Sequence, residues 1–88
     1  MTFKEKKEQL AEVDEGILLA DGFEDALIGF IEQFNNTVAV YDKAKCLEIL
    51  MKRDGMTFEE ADEFFSFNVT GAYVGEKTPA FLTRFEEG

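Results

Sequence analysis

The sequence predicts an α+β domain: a small antiparallel sheet packed against an αα-hairpin, with an N-terminal helix in front. Three observations predict it. Two runs rich in β-branched and aromatic residues flank Asn35-Asn36, as the arms of a hairpin flank their turn. Residues 42–70 repeat apolar side chains at helical spacing on both sides of Gly55. The first fifteen residues are charged, rich in helix formers, and closed by Gly16. A chain of 88 residues suits one domain, residues 1–88, with 84–88 as a loose tail.

Phe3, Leu10 and Val13 give the segment 3–13 a partial apolar stripe, so it is expected as a helix with a fraying start. Ile17-Leu18-Leu19-Ala20 is a short apolar run before the turn signal Asp21-Gly22, and suits a short strand or a buried connector. In 26–34, Ala26, Ile28, Phe30 and Phe34 recur at a spacing of two, broken by Glu32, and form the expected inner face of a strand. Asn tolerates positive φ, so Asn35-Asn36 is the expected turn into a second strand, 37–41.

Asp42 is a good N-cap for a helix over 43–54, with Lys52 and Arg53 in its last turn and Gly55 just beyond. Thr57 and Glu60 have the capping-box spacing, which opens a second helix over 57–70. Its stripe of Phe58, Ala61, Phe65 and Val69 faces inward; Glu59, Asp62, Glu63 and Ser66 face out. Of the short pieces 72–75 and 80–82, one is expected to join the sheet. The expected core is Phe30, Phe34, Val38, Val40, Leu47, Leu50, Met51, Phe58, Phe65 and Val69.

Nineteen acids oppose nine bases, for a formal charge of −10. Such a surface repels phosphates, which argues against nucleic-acid binding and against anionic membranes. With no His, triads and His-based general bases are excluded. With one Cys, an intrachain disulfide is excluded, and Cys46 is expected as a small core residue with no base to activate it. No secretory h-region and no membrane-length apolar run is present, so a cytoplasmic location is expected. The helical pair evokes a helix-turn-helix, but its second helix offers acids where a DNA groove needs Arg, Lys, Asn or Gln.

The acids fall in blocks. Residues 16–42 carry five acids and no base, 56–70 four acids and no base, and 43–55 four bases against two acids. Two clusters are candidate partner-binding surfaces: Glu59, Asp62 and Glu63 on the second helix, and Asp21, Glu24 and Asp25 before the hairpin. The second lacks the oxygen spacing of a calcium loop and fits a polar turn better. Asn68 is expected to bond the loop that begins at Gly71. No cofactor and no metal is expected.

The strings Asp21-Gly22-Phe23-Glu24-Asp25-Ala26-Leu27-Ile28-Gly29, Val40-Tyr41-Asp42, Cys46-Leu47-Glu48-Ile49-Leu50-Met51, Asp54-Gly55-Met56-Thr57, Glu59-Glu60-Ala61 and Phe67-Asn68-Val69-Thr70-Gly71-Ala72-Tyr73-Val74-Gly75-Glu76-Lys77-Thr78-Pro79 resemble a family of small hypothetical proteins encoded mainly by bacteriophages and prophages. Residues 1–15 lie outside the pattern. The resemblance implies expression in the cytoplasm of an infected bacterium and an accessory role. It carries no catalytic residues. The expected function is therefore non-enzymatic: an acidic accessory protein that binds and modulates a host protein with a basic surface, such as a nucleic-acid-binding or defence component. The alternative is a self-associating structural protein, a homodimer. A metal-dependent carboxylate enzyme is a remoter one.

Overall fold

The computed structural model describes residues 1–72 and 74–86. Helix α1 (Phe3–Val13) leads through a 3-10 turn (Glu24–Ala26) to strands β1 (Leu27–Gln33) and β2 (Asn36–Asp42). Helices α2 (Lys43–Asp54) and α3 (Phe58–Phe65), a π-helical turn (Ser66–Thr70) and strand β3 (Ala80–Leu82) follow. The fold is α+β, with sheet order β1-β2-β3. The sheet is mixed, not antiparallel throughout. β1 and β2 form the hairpin, but β3 runs parallel to β2, with Tyr41 beside Phe81. The connection is the reason: α2 and α3 carry the chain back to the end where β2 began, as a parallel crossover requires. Of the two candidate third strands, 80–82 is the one that pairs. Ala72 and Val74 are irregular, and Tyr73 lies outside the described residues, as do residues 87–88 of the expected tail.

The helix boundaries follow from capping. Thr2 and Glu5 close a capping box on α1, each accepting the other's backbone N–H, at 3.2 and 3.0 Å. The start of α1 is thereby capped. Asp42 accepts the Ala44 N–H at 3.2 Å, and α2 stops at Gly55, whose φ of 66° is the left-handed cap that glycine takes without strain. Thr57 and Glu60 form the box that their spacing predicts. The second helix is not α-helical to residue 70, because it widens at Ser66 into the π turn. Gly71 closes that turn. A Cβ there would stand 3.1 Å from the Ser66 carbonyl oxygen and 3.2 Å from that of Phe67.

The hairpin turn is one residue earlier than expected, on Phe34-Asn35, whose φ values are 51° and 62°. A two-residue hairpin turn of this kind needs both central residues left-handed. Asn35 tolerates that; Phe34, a bulky L-residue, is strained by it. A second departure is a β-bulge between Leu27 and Gly29, which inserts Ile28 as an extra residue. The bulge breaks the period-two alternation, so Leu27 and Phe30 face the same way, opposite Tyr41 and Ala39. Leu27 is buried and Ile28 is exposed, the reverse of the expected pattern.

The core is Leu10, Phe23, Ala26, Leu27, Ala39, Tyr41, Cys46, Leu47, Leu50, Ala61 and Phe65. Val40, Leu47, Leu50 and Phe65 are buried as expected. Val38 and Val69 are half-buried. Phe30, Phe34, Met51 and Phe58 are exposed, Phe34 at 92% because it caps the hairpin tip. Phe23 and Tyr41 are buried instead, packed against Phe65 and Phe81. Ile17, Leu19 and Ala20 form a partly buried connector, not a strand.

Two stability changes are expected. Phe34→Gly removes a left-handed strain of about 1–2 kcal/mol and gives back part of it in unfolded-chain entropy. A net gain of about 0.5–1 kcal/mol is expected, read as a raised midpoint in urea denaturation; a lower midpoint would show that the phenyl ring stabilises the tip. Tyr41→Phe strips the hydroxyl that accepts the Ala20 N–H at 2.8 Å. It should cost about 1–3 kcal/mol for the orphaned donor, and a change within error would show that water replaces the bond.

Candidate functional site

The two acidic clusters are held differently. Asp21, Gly22 and Phe23 turn at the C-terminal end of α2, where Arg53 reaches across. Its Nη1 donates to the Gly22 carbonyl at 3.0 Å and its guanidinium lies over the Phe23 ring, 5.7 Å from the centroid. Glu24 folds back to accept the Gly22 N–H at 3.1 Å. Its own N–H, that of Gly22 and the nearby Arg53 hold its carboxyl below the usual carboxylate range. Glu24 is thus half-buried and engaged, while Asp21 and Asp25 are exposed.

On α3, Ala61 and Phe65 point into the core. Glu59 and Glu63 face solvent, as the helical spacing predicts. Asp62 is half-buried and pairs with Lys43 at 3.7 Å, across to the first turn of α2. Glu59 stands in the first turn of α3, beside the Gly55 turn. The same turn follows Arg53, whose guanidinium holds the Gly22 carbonyl. Glu63 lies one turn further on.

Among the described residues, six of the nine bases join ion pairs, with Asp14, Asp42, Glu48, Asp54 and Asp62 as their acids. Lys77 does the most structurally. Its ammonium bonds the Asp14 carboxylate and the Thr37 carbonyl, tying the 74–79 loop to the end of α1 and to β2. Lys77 and the Gly16 N–H together pull the Asp14 carboxyl below its ordinary range.

Among the described residues, Asn68 does not bond the following loop. Its amide donates to the Phe64 carbonyl at 3.1 Å, one turn back on its own helix. It also lines a cleft of about 390 Å³, with Asp21, Thr78 and apolar walls of Leu18, Phe23, Val69 and Phe81. The sequence carries no signal for this cleft, because its walls come from three separated segments. Among the described residues, no group of three or more His, Cys, Asp or Glu is placed to hold a metal ion. No helix among them is long and apolar enough to cross a membrane.

Cys46 is fully buried in α2, and burial pushes its thiol up to about 12, with Asp42 adding to the rise. The thiolate, which is the nucleophile, is therefore suppressed. The chain matches no protein-family model, no curated protein and no solved structure.

The thiol gives an alkaline prediction. The folded state holds its proton at a pH where the unfolded thiol, near 9.0, has lost it. Folding stability is therefore complete below about pH 9 and declines as pH rises from there toward 12. Burial raises Tyr41 in the same direction. Urea denaturation at a series of alkaline pH values should show this decline, and Cys46→Ala should flatten its first part. An equally steep decline in Cys46→Ala would assign it to Tyr41 and the backbone instead.

Proposed function

We propose that this protein is a non-catalytic acidic accessory protein of bacteriophage origin, which binds a basic surface on a bacterial host protein. The observation that carries the reading is the distribution of charge. Six bases are spent on ion pairs within the chain, and Asp21, Asp25, Glu59 and Glu63 have no cation partner among the described residues. Glu59, Glu63, Asp21 and Asp25 form the binding surface. Asp62 and Glu24 support it from inside, the first through Lys43 and the second through the Gly22 turn. An unpaired acidic surface steers a basic partner and makes its association salt-dependent. The resemblance to phage-encoded proteins supplies the host setting.

The test removes charge where the core does not need it. In Glu59→Gln, Glu63→Gln, stability should stay within about 0.5 kcal/mol per site, read by thermal melt. Capture of host proteins from bacterial lysate should fall, and its dependence on salt should flatten. Undiminished capture by the folded variant would overturn the acidic-surface reading.

A further inference from the structure

The outer edge of β1 is unpaired, since β1 is the end strand of the sheet. The register shows what that edge offers. In a two-residue hairpin the pair closing the turn is hydrogen-bonded, and bonded and non-bonded pairs then alternate. Gln33, Ile31 and Gly29 therefore bond β2, while Phe30 and Glu32 turn their N–H and C=O groups outward. The edge is apolar, with Ile28 45%, Phe30 38% and Ile31 46% exposed. Glu32 is its one charge, in a chain of net charge −10. Beside it, Lys6 of α1 places its ammonium 2.6 Å from the Leu27 carbonyl oxygen and has no carboxylate partner among the described residues. A groove of about 100 Å³ between α1 and β1 is lined by Met1, Leu10 and Phe30.

We infer that β1 pairs antiparallel with β1 of a second copy of this chain, extending the three-stranded sheet to six strands across a two-fold axis at Phe30. That register is self-complementary. Phe30 meets Phe30 on the axis, each beside the other's apolar groove. Glu32 of the second copy falls opposite the Leu27-Ile28 bulge. Directly opposed residues share a face of the sheet, so this carboxylate arrives on the face of Leu27 and Phe30, where α1 presents Lys6. The two-fold axis makes the pair twice, and the two Glu32 residues stay apart. Elsewhere the acidic surfaces of two copies repel, which confines self-association to this edge. A foreign strand would satisfy the backbone groups equally well but has no reason to place an acid at Lys6.

Sedimentation equilibrium of the full chain, from low to high micromolar concentration, tests this. Dimerisation is expected, with concentration-dependent protection of the Phe30 and Glu32 amides from hydrogen exchange. Phe30→Lys places charge on the axis and should raise the dissociation constant by about tenfold or more, with the circular dichroism of the monomer unchanged. Glu32→Lys should also weaken the dimer, and adding Lys6→Glu should restore it. If Phe30→Lys does not fold, the charge swap decides alone. A strict monomer at high micromolar concentration would overturn the inference. So would a dimer indifferent to Phe30→Lys, or a charge swap no tighter than Glu32→Lys alone.

Discussion

The fold depends on one aromatic junction at Phe65. Its ring meets Phe23 edge-on, with centroids 6.1 Å apart, and Phe81 edge-on at 5.0 Å; Phe81 in turn lies against Tyr41 at 5.6 Å. Four segments distant in sequence are thereby joined: the turn before the hairpin, α3, β3 and β2. Edge-to-face pairs of this kind add about 0.5–1.5 kcal/mol each beyond the area they bury, a large share of the stability of so small a domain. They also fix topology. β3 has only three residues, too few to hold a parallel pairing by its ladder alone, and Phe81 supplies the anchor that a longer strand would not need. Tyr41 extends the junction to the connector through Ala20, so the segment between α1 and the hairpin is placed by a hydrogen bond where it forms no strand.

Polar contacts then carry the junction outward to the surface. Arg53 lies over Phe23, and Lys43 lies over Phe65, 6.0 Å from the centroid. Both cations also hold a polar group, the Gly22 carbonyl for Arg53 and the Asp62 carboxylate for Lys43. The bases of α2 thus bind its neighbours to it. The acids outnumber the bases by ten, so most of them stay on the outside without a cation of their own.

Much of this was legible in the sequence where the signal is local. Asp42, Gly55 and the Thr57–Glu60 box set the bounds of α2 and the start of α3, since a cap needs only residues within one turn. The outward placement of Glu59 and Glu63 followed from the same helical period. What was not legible depends on contacts across the chain. The bulge at Ile28 reverses which side chains of β1 are buried; Gly29 inside the strand is its only local mark, and it does not say which residue is inserted. The turn at Phe34-Asn35 contradicts the preference of Phe and arises from the pairing register of the strands. The parallel direction of β3 follows from the α2–α3 crossover, and its anchor is Phe81 against Phe65, a contact invisible to any local window. The Asp21–Asp25 cluster was visible as charge, but its attachment to Arg53 joins residues 31 apart.

Ten phenylalanines in 88 residues exceed what this core can hold. Phe23 and Phe65 are buried, whereas Phe67 is 76% exposed and Phe34, Phe58 and Phe85 also stand in solvent. A small domain has more surface than interior to offer, so the excess aromatic area stays outside, where it favours association. The charge of −10 opposes association by mutual repulsion. The two terms act over different ranges: repulsion extends about a Debye length, roughly 8 Å at physiological salt, and apolar contact acts only at touching distance. Self-contact is therefore permitted only where local charge is low and opposite signs can be brought into register. Among the described strands, β1 meets that condition along its free edge, and α3, with its acids outward, does not. The same charge that keeps copies apart at α3 is the one on which the proposed binding of a basic surface rests, so the two proposed contacts fall on different faces of one domain.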